Sequence, residues 1–129
     1  MSREIKHRGW FQCITGKEYW VYGCLVKQTN GNWEITNDQT SWTVDNVGQF
    51  TGIVDVVGKE IYEGDVVNDD DLGNGIVIFQ SGCFFMMYDA DTNMEFLGLK
   101  TDKFGRLQEK RIVEILGNIY ENPELLSTI

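Results

Sequence analysis

The residues best suited to chemistry in this sequence are short groups of carboxylates. Asp89-Ala90-Asp91-Thr92 follows an apolar run, a pattern in which one Asp can attack a phosphoryl group while the other serves as acid and base. That reaction needs an α/β scaffold and further metal-binding acids, and almost no helix is predicted from this sequence. We therefore expect a polar hairpin loop at these residues and no catalytic activity.

A second acidic group, Asp69-Asp70-Asp71, precedes Leu72-Gly73-Asn74 and has some features of a calcium loop. The twelfth position counted from Asp69 is Gln80, where such a loop needs a bidentate Glu. His7 is the only histidine, which excludes a site with two histidine ligands. We expect an acidic surface loop, a packed or rim histidine, and neither a metal nor another cofactor.

The cysteines and aromatic residues also have structural explanations. Three widely spaced cysteines without a CxxC pair favour reduced thiols, and we expect them to be small buried groups. The tryptophans, with Tyr19 and Tyr22, suit a stacking platform for bases, a peptide groove or the core between strands, and we favour the core. The cysteines are Cys13, Cys24 and Cys83, and the tryptophans are Trp10, Trp20, Trp33 and Trp42.

Charge is distributed unevenly along the 129 residues, which carry a formal net charge of -9. Between residues 38 and 71 there are nine acidic residues and one basic residue, Lys59. Five bases stand against two acids between residues 100 and 111. The acidic stretch favours a basic partner, while the basic stretch is suited to phosphate, although both also fit solvated faces. The candidate phosphate contacts are Lys100, Lys103, Arg106, Lys110 and Arg111.

Fourteen glycines against one proline, and many short apolar runs, predict tight turns between short strands. Asn30-Gly31 between two such runs indicates a hairpin with a type I′ turn. We predict a mainly β fold: an N-terminal antiparallel meander over residues 1–57, packed on a small SH3-like barrel over residues 58–129. Asn122-Pro123-Glu124 predicts a short C-terminal helix capped by the Asn side chain.

The stretch from Gln49 to Val67 contains two predicted corners. In Asp55-Val56-Val57-Gly58 the Asp can accept hydrogen bonds from its own turn, and the Gly closes it. In Glu63-Gly64-Asp65 the Gly can adopt a backbone conformation that costs other residues about 1–2 kcal/mol. Each carboxylate in the stretch therefore has a structural explanation.

The same stretch resembles the signature of the YopX family, small proteins of bacteriophages and prophages. The family pattern has a Thr-Gly, then Asp-x-x-Gly-Lys-Glu-Ile-Tyr-Glu-Gly-Asp and two apolar residues, as found here from Thr51 to Val67. The resemblance extends over nearly the whole chain and implies a mainly β fold, oligomeric assembly and a phage context, but no reaction. The other matching segments are Arg3–Trp10, Gly75–Gly82 and Glu114–Leu126.

This chain departs from the family pattern at several positions. His7 and Gly9 stand where the family usually has an aromatic residue and Ala, and Phe11 stands where it usually has Asp. Val56 and Val57 replace a typically polar pair, and apolar side chains at a turn tip predict contact with a partner or a second copy.

From these observations we expect a non-enzymatic phage accessory protein that self-associates and binds a host or phage protein. The sequence shows neither an apolar leader nor a membrane span, so we expect it in the host cytoplasm. The alternative is a role linked to nucleic acid, through phosphate binding at residues 100–111 or through acidic mimicry of DNA. The candidate interaction residues are Val56, Val57, Asp69, Asp70, Asp71, Leu125 and Leu126.

Overall fold

Short antiparallel strands make up most of the chain, which confirms the prediction of a mainly β protein. The computed structural model describes residues 5–37, 40–88, 93–101, 106–110 and 112–129, with the backbone alone for residues 100–101 and 107–110. None of the helices in those residues is long and apolar enough to cross a membrane.

The chain forms two compact units, Met1–Gly52 and Ile53–Ile129. The boundary falls a few residues before the one that we predicted at residues 57 and 58. The turn at Asp55 belongs to the C-terminal unit because its hydrogen bonds go to strand residues near position 114.

In the N-terminal unit the strands form a closed circuit of pairing. β1 pairs with β2 and β4, and β3 pairs with β2 and β4, always antiparallel. The circuit closes through a register shift between β1 and β4, near which Asn46 has a φ of 53°. Its core contains Val21, Ile35 and Val44. The strands are β1 His7–Gln12, β2 Glu18–Lys27, β3 Trp33–Thr36 and β4 Ser41–Val54.

The C-terminal unit contains an antiparallel sheet in the order β12-β6-β7-β8-β9, and β10 pairs separately with β11. Its core includes Ile61, Val67, Val77 and Met86, all fully buried. The predicted SH3-like barrel for this unit stays a prediction. The strands are β5 Glu60–Tyr62, β6 Asp65–Asp69, β7 Gly73–Gln80, β8 Cys83–Tyr88, β9 Asn93–Phe96, β10 Leu99–Thr101, β11 Leu107–Lys110 and β12 Glu114–Asn118.

The chain ends in a 3-10 helix, Pro123–Thr128, with Glu124 in its first turn as predicted. The predicted cap was wrong: Asn122 occupies the cap position but makes no side-chain cap hydrogen bond. Its Oδ1 atom instead accepts the backbone N–H of Asn118 at 3.2 Å. The side chain therefore fixes the turn that leads into the helix rather than the helix itself.

Candidate interaction surface

Asp55 joins the turn at its own position to a strand sixty residues later in the sequence. Its Oδ1 accepts the backbone N–H groups of Val57 at 3.1 Å and Lys59 at 2.8 Å. Its Oδ2 accepts the N–H of Ile115 in β12 at 3.2 Å. The N–H of Val56 donates to the carbonyl of Val113 at 3.0 Å, so the turn is fastened to the chain just before and within β12.

The environment of Asp55 favours its charged form. Burial alone would raise the pKa of this carboxyl, but hydrogen bonds from the backbone N–H groups of Lys59, Ile115 and Val57 hold the pKa below its ordinary value. The ammonium group of Lys59 adds to the same effect. This carboxylate is therefore a structural anion with its oxygens directed into the fold.

The second predicted corner is confirmed and meets the C-terminal segment. Gly64 has a φ of +94°. Its N–H donates to the carbonyl of Val77, and its carbonyl accepts the N–H of Ile119. Asp65 closes the corner because its Oδ2 accepts the N–H of Tyr62 at 2.8 Å. The two segments of the family resemblance, one around residue 60 and one after residue 114, thus form a single structural unit.

We expect Gly64→Ala to destabilise the C-terminal unit by about 2 kcal/mol in urea unfolding. A Cβ atom there would lie 3.1 Å from Cε2 of Tyr120, in addition to the strain of the positive φ. Gly58→Ala is the matched control because Gly58 has a φ of +88° and open space around it. It should cost about 1 kcal/mol, and equal losses for both variants would contradict a role for the Tyr120 contact.

The acidic run at residues 69–71 divides into one inward and two outward side chains. Asp69 is buried, and its Oδ1 accepts the N–H groups of Asp71 and Leu72 at 2.8 and 3.0 Å. Asp70 and Asp71 are exposed. Asp69 is therefore a turn former and is not available to a partner, whereas Asp70 and Asp71 remain accessible.

A groove brings two predicted interaction residues together and adds others that the sequence did not reveal. It has a volume of about 240 Å³. Val56 and Ile112 are 57% and 62% exposed at its edge, and the neighbouring Val57 is 80% exposed. The carboxylates of Asp70 and Glu114 also line it. Its lining residues are Val56, Asn68, Asp70, Ile112, Val113 and Glu114.

A second apolar surface lies on β7, β8 and β9. Directly paired residues share a face in antiparallel strands, and the registers align two rows of side chains. Phe85 and Phe96 stack with ring centroids 4.9 Å apart. Phe96 and Met94, on the last strand of the sheet, are 43% and 42% exposed. We call this surface the outer face; its rows are Ile76, Met87 and Met94, and Ile78, Phe85 and Phe96.

The C-terminal 3-10 helix covers the neighbouring end of the same sheet face. A Cβ on Gly117 would meet Asn122 and Leu125, and Gly117 pairs with the fully buried Val66. The predicted interaction residue Leu125 is therefore half-buried over β12, whereas Leu126 is exposed. The amide of Asn74 donates to the hydroxyl of Thr128 at 2.7 Å, which fastens the end of the helix to β7.

The structure does not describe the side chains of most of the predicted phosphate contacts. Lys103 and Arg111 lie outside the described residues, and Lys100 and Lys110 are described by backbone alone. Arg106 is exposed. Phosphate contact at this segment stays a prediction, as does the loop at Asp89 and Thr92, which also lies outside the described residues.

The acidic stretch exposes less charge than its composition suggests. Asp55, Asp65 and Asp69 are buried, with carboxylate oxygens that accept backbone N–H groups. Asp38 lies outside the described residues. Three of the nine acids in the stretch are therefore buried, and mimicry of DNA by the others stays a prediction.

The prediction of buried cysteines was wrong for two of the three. Cys24 and Cys83 are exposed and Cys13 is half-buried, all with free thiols. Cys24 lies on the same side of β2 as the exposed Tyr22 and Val26, and Cys83 follows a turn. Partial burial lowers the pKa of His7, in keeping with the predicted rim histidine.

The aromatic residues of the N-terminal unit form cross-strand pairs with neighbouring cations. Trp10 and Trp20 meet edge to face at 5.1 Å, and the guanidinium of Arg8 lies 4.3 Å from the Trp20 ring centroid. Trp33 is exposed with Lys27 over its ring, whereas Trp42 packs against the core. The prediction that these aromatics fill the core is confirmed for Trp42 but wrong for the exposed Tyr19, Tyr22 and Trp33. Cations lie beside Trp20 and Trp33.

Within the described ranges no three His, Cys, Asp or Glu side chains stand close enough to hold a metal ion. The chain belongs to the YopX family, since the family model described as YopX protein matches residues 7–127. No curated protein matches the sequence.

Proposed function

We propose that this YopX-family chain is a phage accessory protein that acts in the host cytoplasm through protein–protein contact, without catalysis. We further propose that copies of it associate through the outer face. The observation that supports association is the composition of that face, on which aromatic and methionine side chains from three strands stand side by side and partly exposed. Methionine and aromatic residues are the apolar types enriched at protein interfaces.

Charge favours a second copy of the chain as the occupant of the outer face. The protein carries a formal net charge of -9, so most contacts between two copies would bring like charges together. The outer face contains no charged residue, and the rows continue to Gln80 and Cys83, which are also uncharged. Among the described residues, the rows that would meet in such a contact contain no carboxylate.

The size of the outer face indicates a reversible dimer. The outer face spans three strands about 4.8 Å apart and two rows of side chains about 7 Å apart along the strands. Its area, roughly 200 Å², is well below the roughly 800 Å² that each partner buries in a standard stable interface. We therefore expect dissociation in the micromolar range rather than an obligate dimer.

Met94→Glu should weaken self-association at least about tenfold, because it places two like charges across the contact. Light scattering or sedimentation over a concentration series at micromolar protein gives the mass of each variant. Met94 is on the surface, so the circular dichroism spectrum and unfolding curve should stay unchanged. Met94→Leu, which keeps the side chain apolar, should associate as the wild type does.

Val57→Glu separates this proposal from contact through the turn at residues 56 and 57. Val57 is more exposed than Met94 and lies outside the outer face, so the same charge there should leave the mass distribution unchanged. If Val57→Glu is monomeric while Met94→Glu still associates, the contact between copies lies at the turn and not at the outer face. A wild-type protein that is strictly monomeric at high micromolar concentration would refute self-association altogether.

A further inference from the structure

The shape and the charge of the groove beside Val56 fit a different partner from the one proposed for the outer face. We propose that it binds a basic peptide segment of a partner protein, with one branched apolar side chain in the groove and Lys or Arg on either side. This surface shares no residue with the outer face. Its occupancy is therefore independent of self-association.

The apolar part of the groove is ready to receive a side chain. Val56 and Ile112 are both more than half exposed. The hydrogen bond from Val56 N–H to the carbonyl of Val113 joins the two edges of the groove. Asp55 anchors the same turn to Ile115, so the site is formed before any partner arrives.

The volume of the groove argues for a peptide side chain rather than a cofactor. At about 240 Å³ it is smaller than the roughly 300 Å³ at which small-molecule sites begin. One or two side chains of an extended segment would fill it. A recess that is filled by one anchor residue is the usual centre of a protein contact.

The negative charges around the groove favour a partner with positive charge. Asp70 and Glu114 supply carboxylates to its lining, and Asp71 is exposed beside Asp70. The remaining polar lining residue is Asn68, whose amide donates to Oδ1 of Asn74 at 2.8 Å. Among the described lining residues no base offsets the two acids, so a second copy of this acidic chain suits the groove less well than a basic segment.

The test uses the full-length 15N-labelled protein and the peptide Lys-Lys-Ile-Lys-Lys, blocked at both ends. We expect amide shifts at Val56, Asp70 and Ile112, and binding that weakens as salt rises. Two control peptides change one feature each: Glu-Glu-Ile-Glu-Glu reverses the charge, and Lys-Lys-Gly-Lys-Lys removes the apolar anchor. Each control should bind at least about tenfold more weakly.

Paired variants locate the binding on the protein. Asp70→Asn with Glu114→Gln should weaken peptide binding about three- to tenfold. Asp45→Asn with Glu124→Gln makes the same change in net charge elsewhere and should leave binding unchanged. Ile112→Ser should lose about tenfold, whereas Ile14→Ser, at a fully exposed loop position, should lose nothing.

Equal losses in the two double variants would show only general attraction to an acidic protein and would overturn the proposal. Shifts confined to residues away from the groove would overturn it as well. The Met94→Glu variant should bind the peptide as the wild type does. Loss of peptide binding together with loss of association in that variant would mean that the peptide binds a dimer surface instead of this groove.

Discussion

Asp55→Ala is expected to lower the free energy of unfolding of the C-terminal unit by about 3 kcal/mol. The change removes a buried carboxylate that accepts the N–H groups of Val57, Lys59 and Ile115. The Ile115 donor belongs to β12, so the loss of this hydrogen bond also removes a link between the turn and that strand. Buried donors left without an acceptor are far more costly than the net value of an ordinary hydrogen bond.

Hydrogen exchange of the Val67 and Val77 amides measures this loss in the C-terminal unit, because both residues are fully buried there. Tryptophan fluorescence follows the other unit, since all four tryptophans precede residue 53. Asp70→Ala is the matched control: it removes an exposed carboxylate and should change stability by less than about 0.5 kcal/mol. A comparable loss in both variants would contradict the anchoring role of Asp55.

The contribution of Asp55 should also disappear in acid. The folded state lowers the pKa of this group, so its stabilising effect is complete above the ordinary carboxyl pKa of about 3.9. It is lost as the pH falls through the lower pKa of the folded state. Asp55→Asn should therefore be less stable than the wild type at neutral pH, and the difference in urea unfolding should shrink as the pH falls below the ordinary carboxyl pKa. A difference that persists unchanged there would mean that the charge does not matter.

Local patterns in the sequence predicted most strands because β-forming residues between turn residues have few other options. Such runs form the strands Trp33–Thr36 and Cys83–Tyr88. β4 is much longer than its alternating run Ser41–Val44, since it continues through Gly48 and Gly52, which the pattern treats as breaks. Glycine in a strand weakens it locally, but Gly48 pairs with Arg8 of β1 and β4 continues through it.

The two hairpin turns show how tertiary pairing selects the turn type. At Asn30-Gly31 the hairpin is confirmed but the type I′ turn is not, because Gly31 has a φ of 91° while Asn30 does not have a positive φ. The Gly31 N–H bonds to the carbonyl of Gln28, which gives a longer loop. At Ser81-Gly82 both residues have positive φ, the geometry of a type I′ turn.

The groove and the outer face lay beyond local prediction for a physical reason. Val56 and Ile112 are far apart in the sequence, and no periodicity relates them; the backbone contact between Val56 and Val113 brings them together. The outer face depends on which of two alternating rows of β7 and β8 faces the core. Both rows are apolar, as the buried Val77 and Met86 and the half-buried Ile76 and Met87 show. An apolar run has no alternation of apolar and polar residues from which the buried row could be predicted.

Gly9→Ala is expected to destabilise the N-terminal unit by about 3 kcal/mol, although the family usually has Ala at this position. A Cβ atom on Gly9 would lie 2.5–2.9 Å from three side-chain atoms of Val44. Val44 is a core residue of β4, which pairs with β1, so neither strand can move without disturbing the closed circuit of pairing. Tryptophan fluorescence during urea unfolding measures the loss. Gly31→Ala, with a positive φ but open space, should lose only about 1 kcal/mol.

The double variant Gly9→Ala with Val44→Ala tests which atoms of Val44 overlap with the new Cβ. These are either its two methyl groups or its own Cβ, whose position the backbone fixes. Cγ1 and Cγ2 of Val44 would be removed, but its Cβ lies 2.6 Å from the position of the new Cβ and would remain. We therefore expect a coupling of only about 1 kcal/mol between the two changes and an incomplete recovery. Full recovery would show that the methyl groups alone exclude Ala. Incomplete recovery would mean that β1 and β4 approach more closely here than Ala at this position permits.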